Sequence, residues 1–323
     1  MAWGLLALWF GLACTQSDDV APLTRDAMEV VSEEQRIAAA RKLLIDSGVK
    51  EISWVLTPYL AQDLVREKYG PMVDYLARRL GLPFHVMVGD DYGDVEALIA
   101  SGTIDLAVLA PYSYVRVKDA EPRLRLLASH VALGSPNYGA YIITREEADI
   151  RQMEQLKGKR FGFVDAHSTS GWLFPAARML KDNVHPLNDV EAVFLGSHDR
   201  VVEAVLSGEV DVGATFDEAI SDWRGRSEKG SSIRVIAKTR RIPYDAYVAR
   251  PGFPPEASAV LEDLLCEISM ATPEGRKLLT PLRRINGLMP TNDSHYDVIR
   301  EVEAEVRDVL GQQTRHFPQT GSQ

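Results

Sequence analysis

Two cysteines are all the chain has, Cys14 and Cys266, and neither sits in a Cys-x-x-Cys pair or a Cys/His cluster. Zinc-ribbon and dithiol redox chemistry are therefore excluded, and no metal or cofactor is expected. Positive charge is in short supply as well: Lys plus Arg number 36 against 46 Asp plus Glu, a net charge of −10. No basic run occurs, which argues against a nucleic-acid partner. There is no HExxH, no P-loop, no GxGxxG and no Gly-x-Ser-x-Gly, so no enzyme activity is expected. Ser47-Gly48-Val49-Lys50 matches Ser-x-x-Lys, but it falls at a predicted helix end. No apolar run is long enough to cross a bilayer comfortably.

What is present is the composition of a globular protein, 46% hydrophobic and 25% charged over 323 residues. That length supports a large core and two domains. Residues 2–13, AWGLLALWFGLA, are uncharged and end at Cys14. The run fits the apolar core of a signal peptide. Leu12-Ala13-Cys14 before the polar Thr15-Gln16-Ser17-Asp18-Asp19 resembles a bacterial lipoprotein signal, with cleavage before Cys14 and lipidation of its thiol. Gly11 stands where Leu is usual and no Lys or Arg precedes the run; an ordinary cleaved secretory signal is the alternative. The expected division is a signal peptide at 1–13 and a tether at 14–31. A first lobe then begins at 32–143, a second lobe spans 144–240, and 241–323 completes the first lobe with C-terminal helices. Cys266, in LEDLLCEISM, reads as a small buried hydrophobe.

From Ser32 the chain alternates between helix and strand signals. Ser32 and Gln35 have capping-box spacing ahead of a helical stretch. EISWVL (51–56) reads as a strand, YGPMVDYLARRLG (69–81) as a helix stopped by Gly81, and PFHVMVG (83–89) as a strand. YGDVEALIASG (92–102) reads as a helix and IDLAVLAP (104–111) as a buried strand broken by Pro111. This β-α-β-α-β order predicts an α/β fold with a largely parallel sheet. The pattern restarts after YGAYIIT (138–144), through RFGFVD, AVFLG and VDVGATFD, and IRVIAKT (233–239) is read as a strand returning toward the first half. Two or three helices are expected from Pro255 onward, and hinges near 142–147 and 238–245. ALIASGTIDLAVLAP and AVLSGEVDVGATFD share one helix–Ser-Gly–Asp–strand plan, one copy in each half. Two similarly built lobes with crossing strands would leave a ligand cleft between them.

The segment most informative about function is KGKRFGFVDAHSTSG, where a buried strand runs into Ser168, Thr169, Ser170 and Gly171 at a helix start. Unpaired amides and the positive end of the helix dipole converge there, and three hydroxyls add short donors. This is a cradle for a tetrahedral oxyanion. The plainer reading is a Ser/Thr N-cap, which needs one hydroxyl only.

These segments together make the chain recognisable. YGPMVDYLARRLG, DDYGDVEALIASGTIDLAVLAPYSYV, KGKRFGFVDAHSTSGWLFP, FLGSHDRVVEAVLSGEVDVGATFD, IPYDAYVA and GLMPTNDSHYDVIR resemble, in order, the phosphate/phosphite/phosphonate-binding proteins of ABC transporters. The resemblance implies a two-lobed periplasmic-binding-protein fold of type II. Each lobe would be a mixed, mostly parallel sheet flanked by helices, with the ligand between the lobes. It implies that Ser168, Thr169 and Ser170 hold the phosphorus oxyanion, that His198 donates to it, and that Tyr92 reaches across from the first lobe. Asp245 and Glu218 fall on ligand-facing acidic positions, and Tyr59, Tyr112 and Tyr138 are expected as cleft walls. Each has a plainer alternative: ring packing for Tyr92, a helix cap for His198, a turn for Asp245. His130, His167, His185 and His295 show no partner pattern and are not assigned a role.

Leu109 stands where some aminoalkylphosphonate binders have an aromatic residue, which favours phosphite, phosphate or a small alkylphosphonate. A carboxylate in such a site accepts a hydrogen bond from a protonated P–OH or pairs with a ligand ammonium, and disfavours sulfate. The expected partners are a permease and its ATPase. The protein is expected to be a monomer tethered by lipid in the bacterial periplasm. A sensing protein of the same fold feeding a membrane receptor kinase is the alternative.

Overall fold

The computed structural model describes residues 32–309 and 311. Cys14, the expected signal peptide (1–13) and the expected tether (14–31) lie outside the described residues.

The chain opens with α1 (Glu33–Asp46), β1 (Ile52–Leu56), α2 (Gln62–Leu80), β2 (Phe84–Val88), α3 (Tyr92–Ala100), β3 (Leu106–Leu109), α4 (Pro111–Ala120) and β4 (Arg125–Ala132). The second half runs β5 (Asn137–Arg145), β6 (Arg160–Phe163), α5 (Phe174–Lys181), β7 (Glu191–Phe194), α6 (His198–Ser207), β8 (Val212–Phe216), α7 (Asp217–Arg226) and β9 (Ile233–Pro243). The chain then adds β10 (Ala246–Ala249), α8 (Pro255–Cys266), α9 (Pro273–Leu279), β11 (Ile285–Met289) and α10 (Asp297–Glu305). No helix among the described residues is long and apolar enough to cross a membrane.

Local chemistry explains several boundaries. Both bonds of the predicted capping box exist, Gln35 N–H to Ser32 Oγ at 3.2 Å and Ser32 N–H to Gln35 Oε1 at 2.8 Å. Gly81 ends α2 in the left-handed conformation at φ +72°, which a side chain would resist. α2 starts before the predicted Tyr69 and carries Pro71 inside it. An interior proline costs about 3 kcal/mol. The buried stripe Val65, Tyr69, Met72, Leu76 and Leu80 offsets that, at about 1.5–3 kcal/mol for each large apolar side chain. Pro111 ends β3 as predicted because it begins α4, where its missing N–H has no cost. Cys266 is half-buried at the end of α8, and its thiol is pushed up to about 12 by that burial.

The strands form two sheets, in the orders β2-β1-β3-β10-β4-β11 and β7-β6-β8-β5-β9. Both are mixed. β2-β1-β3 and β7-β6-β8 pair in parallel, and β10, β4, β11, β5 and β9 join antiparallel. Antiparallel pairing therefore has a larger share than the β-α-β order implies, because each sheet accepts a strand from across the molecule. β5 follows β4 directly yet lies in the second sheet; β10 follows β9 yet lies in the first. Sheet membership thus changes at 133–136 and at 244–245, against the expected divisions at 143/144 and 240/241. IRVIAKT makes β9 beside β5 in the second sheet, and the return to the first sheet falls to β10. The first crossing turns through Leu133 at φ +50° and Gly134 at φ +75°. The crossings touch: Tyr244 N–H donates to Pro136 O at 3.2 Å. The C-terminal region holds α8, α9 and α10, with β11 interposed as the edge strand beside β4.

Candidate functional site

The parallel strands of the two sheets end at a shared crevice, the position where open α/β sheets bind ligands. A cavity of about 60 Å³ lies there. At roughly 10–15 Å³ per water, it has room for a few waters or one small molecule.

From the second sheet, β6 leads to Ser168, the cap of a π-type turn over Thr169–Leu173 that continues into α5. Ser168 Oγ accepts from Gly171 N–H at 3.1 Å, as a cap does. Gly171 is required here, since a Cβ would come within 2.3 Å of Val164 Cγ2. The hydroxyls of Thr169 and Ser170 are left for other work. Thr169 Oγ1 accepts from the Tyr112 N–H of the first lobe at 2.8 Å, so its own proton is directed elsewhere. Ser170 Oγ lies 3.4 Å from His198 Nε2. The Tyr92 hydroxyl pairs with Ser168 and that of Tyr138 with Ser170. All three hydroxyl residues are buried and line the cavity.

His198 opens α6, and its main-chain N–H donates to Tyr59 O across the cleft at 3.0 Å. Burial lowers its ring to about 3, so it is neutral at physiological pH. Nδ1 lies 3.0 Å from Thr215 Oγ1. With Nδ1 accepting from that hydroxyl, the ring proton sits on Nε2, on the side of Ser170. In that tautomer His198 would offer a neutral N–H donor to the cavity.

Tyr59, after β1, and Tyr92, at the start of α3 and 1% exposed, face this group from the first lobe. Burial raises the pKa of Tyr59, Tyr92 and Tyr138 well above the usual range, which keeps their hydroxyls protonated. Two acids complete the lining. Asp245 sits in the second crossing, and burial raises it to about 7. Glu218, in the first turn of α7, is also raised to about 7 by burial, partly opposed by Lys68. No Lys or Arg lines the cavity among the described residues. An anion here would be held by neutral O–H and N–H donors and by unpaired amides of the first helical turn.

Tyr59, Tyr92, Ser168, Thr169, Ser170, His198, Glu218 and Asp245 are therefore brought together as the sequence predicted, with Tyr138 as a wall. Tyr112 is not: its hydroxyl donates to Glu303 Oε1 at 3.1 Å, away from the cavity, and only its main-chain N–H serves the site. Leu109 is wholly buried in β3 while Ala110 lines the cavity, so the residue 109 side chain does not line the ligand space as the sequence comparison assumed. His130, given no role from sequence, lines the cavity with Nε2 2.6 Å from Tyr247 Oη. Burial pulls its ring down to about 3. Thr57, Tyr69, Phe216, Tyr244, Leu282 and Ile285 were also missed. Tyr69, Phe216 and Tyr244 lie in segments that carry the resemblance but were given no role there, and the others carry no motif; a pairing of β4 with β10 would have been needed to find His130. His167 meets Glu96 Oε1 at 3.2 Å across the lobes, and His185 Nδ1 accepts the Leu187 and Asn188 amides at 3.2 and 3.1 Å.

Two mixed sheets joined by two crossings, with a donor-lined cavity between them, define a two-lobed substrate-binding protein. The particular family follows from comparison with known proteins. The family described as ABC transporter, phosphonate, periplasmic substrate-binding protein matches residues 54–296. The chain belongs to that family, whose members bind and transport a substrate rather than convert it. The phosphate-import protein PhnD of Mycolicibacterium smegmatis is 27% identical over 259 residues, 74% of this chain and 80% of that one. Among solved structures, PhnD1 of Prochlorococcus marinus in complex with methylphosphonate has a TM-score of 0.73 at 17% identity, covering 80% of this chain and 98% of that one. The binding-protein component of an ABC phosphonate transporter from Pseudomonas aeruginosa has a TM-score of 0.74 at 22% identity, covering 84% and 90%.

Proposed function

We propose that this protein captures a small phosphorus oxyanion (phosphite, phosphate or a small phosphonate) in the periplasm. It then delivers the ligand to a membrane permease driven by an ATPase. The observation that carries the reading is a cavity lined by hydroxyls and two neutral imidazoles, without Lys or Arg among the described residues, in which Asp245 and Glu218 are both raised to about 7. A carboxyl with that pKa is donor or acceptor as the ligand requires. Ionised, it accepts from P–OH; protonated, it donates to a P–O⁻ oxygen. Sulfate, with no proton at neutral pH, can use these carboxyls only in their protonated form, whereas an anion with a P–OH can use either form, so sulfate is disfavoured. The named roles of the relatives, phosphate import in one and a methylphosphonate complex in another, agree with this chemistry.

A second reading rests on the same two acids. If the ligand carries an ammonium group, Asp245 and Glu218 would pair with it, and an aminoalkylphosphonate would bind best. Titration calorimetry with phosphite, phosphate, methylphosphonate, 2-aminoethylphosphonate and sulfate separates these cases. Sulfate binding as tightly as the phosphorus anions, or none of the five binding, would overturn the proposal. We also read Cys14 as a lipidated N-terminus that tethers a monomer at the membrane, supported by the apolar run that ends at Leu12-Ala13-Cys14.

A further inference from the structure

The cleft carries a second set of contacts between the lobes, outside the cavity. Glu218 faces the cavity from α7, while its neighbours Asp217 and Asp222 meet cations from the first lobe. The Asp222 side chain is only 9% exposed, and each of its oxygens holds a different cation. Oδ1 lies 3.1 Å from Arg283 Nη1, and Oδ2 lies 3.8 Å from Lys68 Nζ of α2. Lys68 Nζ also donates to Pro281 O at 3.2 Å, which fastens α2 to the loop that carries Arg283. Arg284 Nη1 stands 3.9 Å from Asp217 Oδ2.

That loop serves two purposes. Leu282 and Ile285 line the cavity, while Arg283 and Arg284 between them reach the opposite lobe. Arg283 holds φ +52°, in the left-handed region, where a non-glycine residue is strained unless its surroundings compensate. The conformation delivers its guanidinium to Asp222. Both side-chain ion-pair partners of Asp222 come from the first lobe, so separating the lobes would leave its carboxylate to water.

We infer that Asp222, with Lys68 and Arg283, is a clamp that favours the closed lobes whether or not ligand is present, and thereby sets how long a ligand is retained. The inference rests on the proposed capture of a ligand between the lobes, and takes that capture to close them around it. A contact made only in the closed form shifts the open–closed equilibrium by its full free energy and touches no ligand atom. These are positioning residues: their loss acts on escape of the ligand rather than on its encounter.

The test uses Asp222→Asn and Arg283→Gln, singly and together. Small-angle scattering of the ligand-free protein should show a larger radius of gyration in each single variant than in wild type. Stopped-flow measurement with methylphosphonate should show dissociation about ten-fold faster, about 1.4 kcal/mol, at an association rate no slower than wild type. The double variant should add little to Asp222→Asn, because that change already removes the ion-pair partner of Arg283. Unchanged scattering in both single variants overturns the clamp. So does lowered thermal stability with unchanged dissociation, the signature of a merely structural role. Arg283 is half-exposed, so its variant keeps the test alive should Asp222→Asn fold poorly. If wild type does not bind methylphosphonate, the binding reading fails for that ligand, and the ligand-free scattering still decides the clamp.

Discussion

Replacing Asp245 by Asn removes a titrating group with little change of shape, and the burial of that group makes the outcome calculable. Its pKa is about 7 in the folded protein against an ordinary 3.8, and burial is the cause. Between those values the folded state binds more protons than the unfolded state. The sign follows: the contribution of this group to stability is largest at acid pH and is lost as pH rises from about 4 through 7. At ~1.36 kcal/mol per pH unit, the full span from 3.8 to about 7 is worth about 4 kcal/mol. Water entering the cavity solvates the ionised carboxylate, so about 1–3 kcal/mol should be realised. The assay is urea denaturation of ligand-free protein at intervals from pH 4 to 8. His130 and His198, both lowered to about 3, pull the wild-type profile the other way below about 6.5, so the readout is the difference between proteins: relative to wild type, Asp245→Asn should gain stability as pH rises, ending more stable at pH 8. Glu218 has the same direction of shift as Asp245, so Asp245→Asn with Glu218→Gln should widen that difference further. Parallel profiles for wild type and both variants would refute the reasoning, since they would mean that these carboxyls are well solvated when folded. Binding supplies an independent check: Asp245→Asn removes the repulsion toward fully ionised anions, so discrimination against sulfate should fall.

Three further outcomes are expected. Thr169→Ala removes a donor worth roughly 1.5–3 kcal/mol to a charged ligand and strands the Tyr112 N–H, so calorimetry should show affinity for the preferred anion weakened ten-fold or more, with Thr169→Ser close to wild type. Gly171→Ala places a methyl group 2.3 Å from Val164 Cγ2 and 2.9 Å from Ser168 Oγ, so both anion binding and the thermal midpoint should drop sharply; a midpoint within a degree of wild type would mean that the turn is not as tight as described. Cys14→Ala should move the full-length protein from the membrane to the soluble periplasmic fraction, and unchanged fractionation would remove the lipid anchor.

Local chemistry in the sequence made several elements and the run of hydroxyls at the helix start legible. Ser32 with Gln35, Gly81 and Pro111 act within a few residues of themselves, so their caps and stops were legible without a partner. The Ser168–Gly171 run was legible for the same reason: a cap, a tight turn and adjacent hydroxyls lie within four residues. Asp245 and Glu218 were found through a family resemblance, which supplied their placement but not their charge. Burial raises them to about 7, and burial is a property of packing rather than of neighbours in sequence.

Strand pairing decided what remained. β9 was read as the strand returning to the first lobe because its composition suits either sheet, and only its long antiparallel register with β5 assigns it. Tyr112 and His130 show the same limit at the level of single side chains. Tyr112 lies beside the site in sequence, but its ring points to Glu303; His130 has no motif, but β4 pairs with β10, and the ring comes to the cavity beside Tyr247. Which face a side chain takes depends on register and on what is packed opposite, and both are set by contacts more than a hundred residues apart along the chain, such as that between His130 and Tyr247.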